Sequence, residues 1–116
     1  METTSPLTMS AAQLQAAVRP VVSQTVPIAG GTVAFATNAS DQTILVKPAG
    51  LLATLTLTLP SEASSALGQI VRFATTQVLT ALTTNGAASI LNAVSTLAAG
   101  GSIGYQKVDT DTWVRI

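Results

Sequence analysis

Residues 51–61 read LLATLTLTLPS, and from Leu51 to Leu59 no charged side chain interrupts the run. Between Thr54 and Leu59 threonine and leucine alternate strictly. A period of two sends successive side chains to opposite faces of an extended strand. Leu55, Leu57 and Leu59 therefore form a core row. Thr54, Thr56 and Thr58 form an outer row of hydroxyls and methyls. Pro60 has no amide hydrogen for a ladder, so it ends the strand. Threonine suits a pleated, half-buried surface, and an outer row without charge costs little to desolvate. That row points to a face that meets other protein.

The same period runs outward in both directions. Upstream, "VVSQTVPI" (21–28) leads to Gly30-Gly31, then "TVAFAT" (32–37), then the turn cluster "NASDQ" (38–42), then "TILVKP" (43–48). Short polar side chains such as Asn38 and Asp41 bond to nearby backbone, which is why they mark a turn. Downstream, "SEASSALG" (61–68) forms a loop. "QIVRFAT" (69–75) puts Ile70, Arg72 and Ala74 on one face and Val71 and Phe73 on the other. "QVLTALTT" (77–84) precedes Asn85-Gly86, a tight-hairpin signal because both residues tolerate positive φ. "AASILNA", "VSTLAAGG", "SIGYQKV" and "TWVRI" complete the series. Strands recurring roughly every 8–12 residues with turns between them predict an all-β fold, a small antiparallel β-sandwich or jelly-roll-like domain. No block repeats closely enough to suggest a solenoid.

Residues 1–22 have a different character and read as an N-terminal arm or short attachment helix, with 23–116 as a single β-domain. Ser10 can cap a helix through "AAQLQAAV" (11–18), in which Ala11, Leu14 and Val18 share one face and Pro20 ends the run. Two turns do not hold as a free helix in water. The segment is either docked or extended.

Composition narrows the function. The chain has 116 residues, 47% hydrophobic but only 9% charged and 3% aromatic. Ordinary domains carry about 25% charged residues. Threonine, with 18 copies, takes the place of charge. Five basic and five acidic residues give zero net charge, too few cations for a nucleic-acid surface. Glu2 stands where a signal peptide needs a base, and no run approaches the ~18 apolar residues of a membrane span. The reading is a soluble, non-secreted chain without membrane or nucleic-acid partners.

Histidine and cysteine are absent. Their absence excludes Ser-His-Asp and Cys-His nucleophiles, thiolate chemistry and disulfides. The remaining acids outside the arm, Asp41, Glu62, Asp109 and Asp111, all fall in turns or loops. Asp109 and Asp111 could both reach a calcium ion, but such ions take some 6–8 oxygens and no third acid lies nearby. Neither metal nor cofactor is expected. Gly30-Gly31 and Gly100-Gly101 lack a following lysine and helix, so they read as turn glycines. Tyr105 and Trp113 on neighbouring strands could stack on a sugar, although such pairs are more often core or interface packing. The expectation is a non-enzymatic protein of binding or assembly.

The second half has a distinctive cadence: "LTLTLPSEASSALGQIVRFATT", then "LTALTTNGAASI", then "TLAAGGSIGYQKVDTDTWVRI". Over Leu51–Ile116 it resembles β-domains of tailed-bacteriophage virion proteins, among them head decoration, head-fibre and distal tail-fibre domains. Gly68-Gln69, Gly100-Gly101 and Trp113 carry the likeness best. The resemblance implies a homotrimeric virion component made in the host cytoplasm. A capsid decoration (cement) protein on the outer shell is the leading expectation, with itself and the major capsid protein as partners. Thr54, Thr56 and Thr58 would lie in the trimer interface, and Leu7, Leu14 and Val18 would attach to the capsid. The alternative is a receptor- or glycan-binding fibre tip using Tyr105, Trp113 and the loops 38–42 and 61–67. A head-completion or tail-tube ring is a third, weaker option.

Overall fold

The structure, a computed structural model, describes residues 21–116. The arm, its expected helix and the attachment residues Leu7, Leu14 and Val18 lie outside the described residues. Within these, nine strands and no helix occur. They are β1 (Val21–Thr25), β2 (Gly31–Ala34), β3 (Gln42–Val46), β4 (Leu55–Thr58), β5 (Ile70–Thr75), β6 (Leu82–Asn85), β7 (Ser89–Leu91), β8 (Ser102–Asp109) and β9 (Thr112–Arg115).

The mainly-β expectation holds, but the arrangement departs from the antiparallel sandwich or jelly roll that strand spacing suggests. From β1 to β7 consecutive strands alternate between two sheets, and β8 and β9 then stay in the first. The first sheet has the order β1-β3-β5-β8-β9-β7, and the second the order β2-β4-β6. β1, β3 and β5 pair in parallel, as do β2, β4 and β6. The chain thus winds as a β-solenoid, each coil laying one strand on each sheet. Parallel strands need a long crossover, and here the crossover is the rest of the coil. An isolated parallel bridge, Leu52 to Leu79, adds a third line of contact between the second and third coils.

The repeat is hidden because the coils are unequal. Ser23 faces Ile44 and Ile44 faces Phe73, offsets of 21 and 29 residues. Val33 faces Leu57 and Leu57 faces Thr84, offsets of 24 and 27. Of the extra length in the first sheet, the corner before β4 takes three residues and the corner after it five.

The alternation decides which side chains enter the core of the winding. Leu55, Leu57 and Leu59 point inward and are buried, as the opening run predicts. They meet Val33, Phe35, Ile44, Val46, Val71, Phe73 and Leu82 in one continuous core. In β5 it is Val71 and Phe73 that go inward, while Arg72 is exposed. Burying such a side chain stabilises the fold by about 1.5–3 kcal/mol.

Asn85-Gly86 does not make the hairpin that the dipeptide suggests. β7 pairs with β9, not with β6. The dipeptide instead turns a corner stacked on the coil before it. The Leu59 amide donates to the Asn85 carbonyl at 2.9 Å. Gly86 has φ +100°, and a Cβ there would lie 2.8 Å from the Leu59 carbonyl oxygen. Glycine is needed at this corner for close approach as well as for its dihedral.

The C-terminal end of the winding is closed by a reversal. The segment before Gly100 runs back along the third coil, with Leu97 and Leu79 exchanging backbone hydrogen bonds at 2.8 and 3.0 Å. Gly100-Gly101 then passes Thr75, exchanging bonds with it at 3.0 and 3.1 Å. These are turn glycines, in line with the sequence reading. β8 continues antiparallel to β5, and β9 folds back antiparallel to β8 across a bulge between Lys107 and Asp109.

Candidate functional site

The parallel register of the second sheet multiplies the threonine row of β4. Thr32, Thr56 and Thr83 stand directly opposite one another on β2, β4 and β6. Ala34, Thr58 and Asn85 form the next rank. Strands about 4.8 Å apart, with a same-face repeat near 6.6 Å along each, give a regular lattice of methyls and hydroxyls. Thr58 Oγ donates to Asn85 Oδ1 at 2.8 Å, tying two coils together across the surface. Thr54 lies just before β4, exposed, and its carbonyl accepts the Gly30 amide at 3.0 Å. All three threonines predicted for an interface therefore lie on one outer face. The sequence reading missed Thr32, Thr83 and Asn85, which belong to it.

No charged residue lies in β2, β4 or β6. The charges of the described residues lie elsewhere. Arg72 is on the outer face of β5, and Lys47 follows β3, where its Nζ reaches Gln24 Oε1 at 3.1 Å. The second sheet thus presents an uncharged face with half-buried or exposed small side chains.

Tyr105 and Trp113 are together, as expected of neighbouring strands, but both point into the core, 0% and 1% exposed. The Tyr105 hydroxyl accepts the Val94 amide at 3.2 Å and lies 3.4 Å from Thr84 Oγ1. The contact with an outside ligand proposed for them is therefore corrected to core packing: neither ring offers a face to a sugar. Asp109 and Asp111 form the β8–β9 turn. Asp109 Oδ1 accepts the Thr110 amide at 2.7 Å, and Asp111 takes φ 49°. Among the described residues no group of three or more acids, histidines or cysteines is placed to hold a metal ion.

The loops 38–42 and 61–67 are stitched down by polar side chains whose partners sequence alone did not reveal. Buried Gln42 pairs with the backbone of Ala36, accepting its amide and donating to its carbonyl, each at 2.7 Å. Buried Gln69 donates to the carbonyls of Asn38 and Ser40 at 2.9 and 2.7 Å and accepts the Ala66 amide at 3.1 Å. Asp41 Oδ1 accepts the Ile70 amide at 3.0 Å. Lys107 is buried, and its Nζ donates to Ser65 Oγ at 2.8 Å and to Glu62 Oε2 at 2.7 Å. The same carboxylate oxygen accepts the Asp111 amide at 2.7 Å. These bonds, from Lys107 first and then from the Asp111 backbone, hold the Glu62 carboxyl below its ordinary pKa. No short motif announces this stitching, because its partners lie in different coils.

The fold and the site together define a small β-solenoid with one uncharged, threonine-rich face. No family model, no curated protein and no solved structure matches the chain.

Proposed function

We propose that the chain is a structural virion protein, a homotrimeric capsid decoration (cement) protein whose subunits meet through the outer face of the second sheet. The observation that carries this reading is the stacked rank Thr32–Thr56–Thr83 beside Ala34–Thr58–Asn85 on a sheet without charge. A charged face resists burial because each ion stripped of water costs several kcal/mol. Threonine has a short side chain with little entropy to lose, a methyl to pack and a hydroxyl to bond. Copies of one flat sheet face meet with small desolvation costs, and closed symmetry covers it. A stable contact needs about 800 Å² from each partner, so the subunits would also meet through the corners that flank this three-stranded sheet.

The resemblance to phage virion β-domains supports the same reading. Its most distinctive positions are architectural in this chain: Gln69 ties corners, Gly100-Gly101 leads the reversed chain past Thr75 into β8 and Trp113 fills the core. A trimer on the outer shell would act by adding buried surface across the joints between capsomers.

The test is a native mass measurement followed by co-sedimentation with phage shells that lack the protein. A mass of three chains and saturable binding to shells are expected. A monomer at micromolar concentration, or a trimer that leaves shells bare, overturns the reading.

A further inference from the structure

The two ends of the solenoid are finished differently. At the C-terminal end, Leu97, Ile103, Tyr105 and Trp113 close over the third coil and are buried. The first coil has no such cover among the described residues. β3 buries its inward side chains Gln42, Ile44 and Val46, whereas their β1 partners Val21 and Ser23 are exposed and Thr25 is half-buried. In the corner that follows, Val26 and Ile28 are 69% and 76% exposed. β1 and β2 are also the edge strands of their sheets. The Val21 amide donates to the Asp41 carbonyl and the Thr25 carbonyl accepts the Lys47 amide. The bonding groups of these alternate residues are thus turned toward the second coil, and those of Val22 and Gln24 toward the open side. An open edge with an apolar rim is the end a solenoid must cap to stay soluble.

We infer that the twenty residues preceding β1 close this end of the same chain. Three features select that occupant over another molecule. The segment is covalently joined to Val21 on the open edge, so its effective concentration there is in the millimolar range before any partner is present. Its length suits the task, because the first two coils of the first sheet begin 21 residues apart, at Val21 and Gln42. Its composition also matches: Glu2 and Arg19 are its only charges, and Leu7, Met9, Leu14 and Val18 supply apolar side chains for Val21, Val26 and Ile28. This goes beyond the decoration reading and stands independently of it. It gives Leu7, Leu14 and Val18 a partner within the chain rather than on a capsid.

Hydrogen exchange on the full-length chain tests this. It would be read by mass spectrometry on peptides covering 21–30, for wild type and for the double variant Leu14→Asp, Val18→Asp. Each is measured at a concentration where the protein is monomeric and at one where it is assembled. Protection of 21–30 is expected in wild type at both concentrations. In the variant, exchange there is expected to be at least tenfold faster, with peptides from β5 and β8 unchanged. Three results would overturn the inference: unprotected 21–30 in wild type, protection indifferent to the substitutions, or protection found only in the assembled state, which would assign the cover to another copy. A second variant, Leu7→Asp, guards against a local fault at 14 and 18. The inference requires faster exchange at 21–30 in at least one of the two.

Discussion

Lys107 Nζ lies 2.7 Å from Glu62 Oε2, although the lysine is 5% exposed and the glutamate 42%. The pair joins the loop after β4 to β8, two elements that local sequence cannot bring together. The ammonium is the buried partner, so it bears the desolvation. Glu62 needs little help to stay charged, and its depressed pKa records the hydrogen bonds it receives.

This asymmetry predicts an order of effects. Glu62→Gln leaves a buried ammonium facing a neutral amide, whereas Lys107→Met removes the buried charge and leaves a carboxylate that water can reach. Removing the exposed partner strands a buried charge, which is the costly case, while replacing the lysine strands none, because Glu62 is 42% exposed and can be hydrated. Glu62→Gln is therefore expected to lower the urea midpoint more than Lys107→Met. The pH dependence has a definite sign. A carboxyl with a depressed folded-state pKa contributes stability in full above its unfolded value, here 4.5, and loses it as pH falls through the folded value. The difference in Tm between wild type and Glu62→Gln should be constant near neutrality and shrink below pH 4.5. A difference that grows on acidification would contradict the assignment.

Gln69 carries a second prediction. Its amide satisfies two carbonyls, those of Asn38 and Ser40, and one amide, that of Ala66. Gln69→Leu keeps the volume and removes all three partners. With about 1–3 kcal/mol for a buried polar group left unpaired, and some water reaching this corner, a loss of about 2–4 kcal/mol is expected in urea unfolding. Gln69→Glu is the sharper probe. A carboxylate accepts only, so at neutral pH it would face two carbonyl oxygens with no proton to give. That variant should be less stable than Gln69→Leu near neutrality and recover part of the difference as pH falls. A neutral-pH stability for Gln69→Glu equal to wild type would mean the corner does not depend on this amide.

Much of the local structure was legible. The alternation in "TLTLTL" fixes which side of β4 is core, and "QIVRFAT" orients β5 the same way, because a half-buried strand cannot hide its period. The sheet partners were not legible. An antiparallel sandwich and a parallel solenoid use strands of the same pattern and differ only in where the corners lead. Unequal coils remove the fixed period that would reveal winding. Asn85-Gly86 misled for a related reason: glycine's tolerance of positive φ serves a stacked corner as well as a hairpin. Trp113 and Tyr105 stood out as rare aromatics, yet rarity does not separate a binding face from a core. The threonine row was half read. Its orientation followed from β4 alone, but Thr32 and Thr83 joined it only through the register.

That register makes Thr56 the centre of the proposed contact, flanked by Thr32 on one strand and Thr83 on the other. In a single chain Thr56→Lys places a long, flexible cation on a face open to water. Surface substitutions of this kind shift stability by roughly 0.5 kcal/mol or less, so the fold should survive with Tm nearly unchanged. In an assembly that buries this face the same lysine must shed its water without a partner, because no acid lies in β2, β4 or β6. Symmetry repeats the cost in every subunit. Native mass measurement should then find a single chain of 11.7 kDa where wild type gives three. Thr43→Lys supplies the control, since Thr43 is half-buried on the outer face of β3 in the other sheet, opposite Val22 and Arg72. It should leave the oligomer intact. If Thr43→Lys dissociates the protein and Thr56→Lys does not, the subunits meet through the first sheet, and the threonine lattice faces solvent.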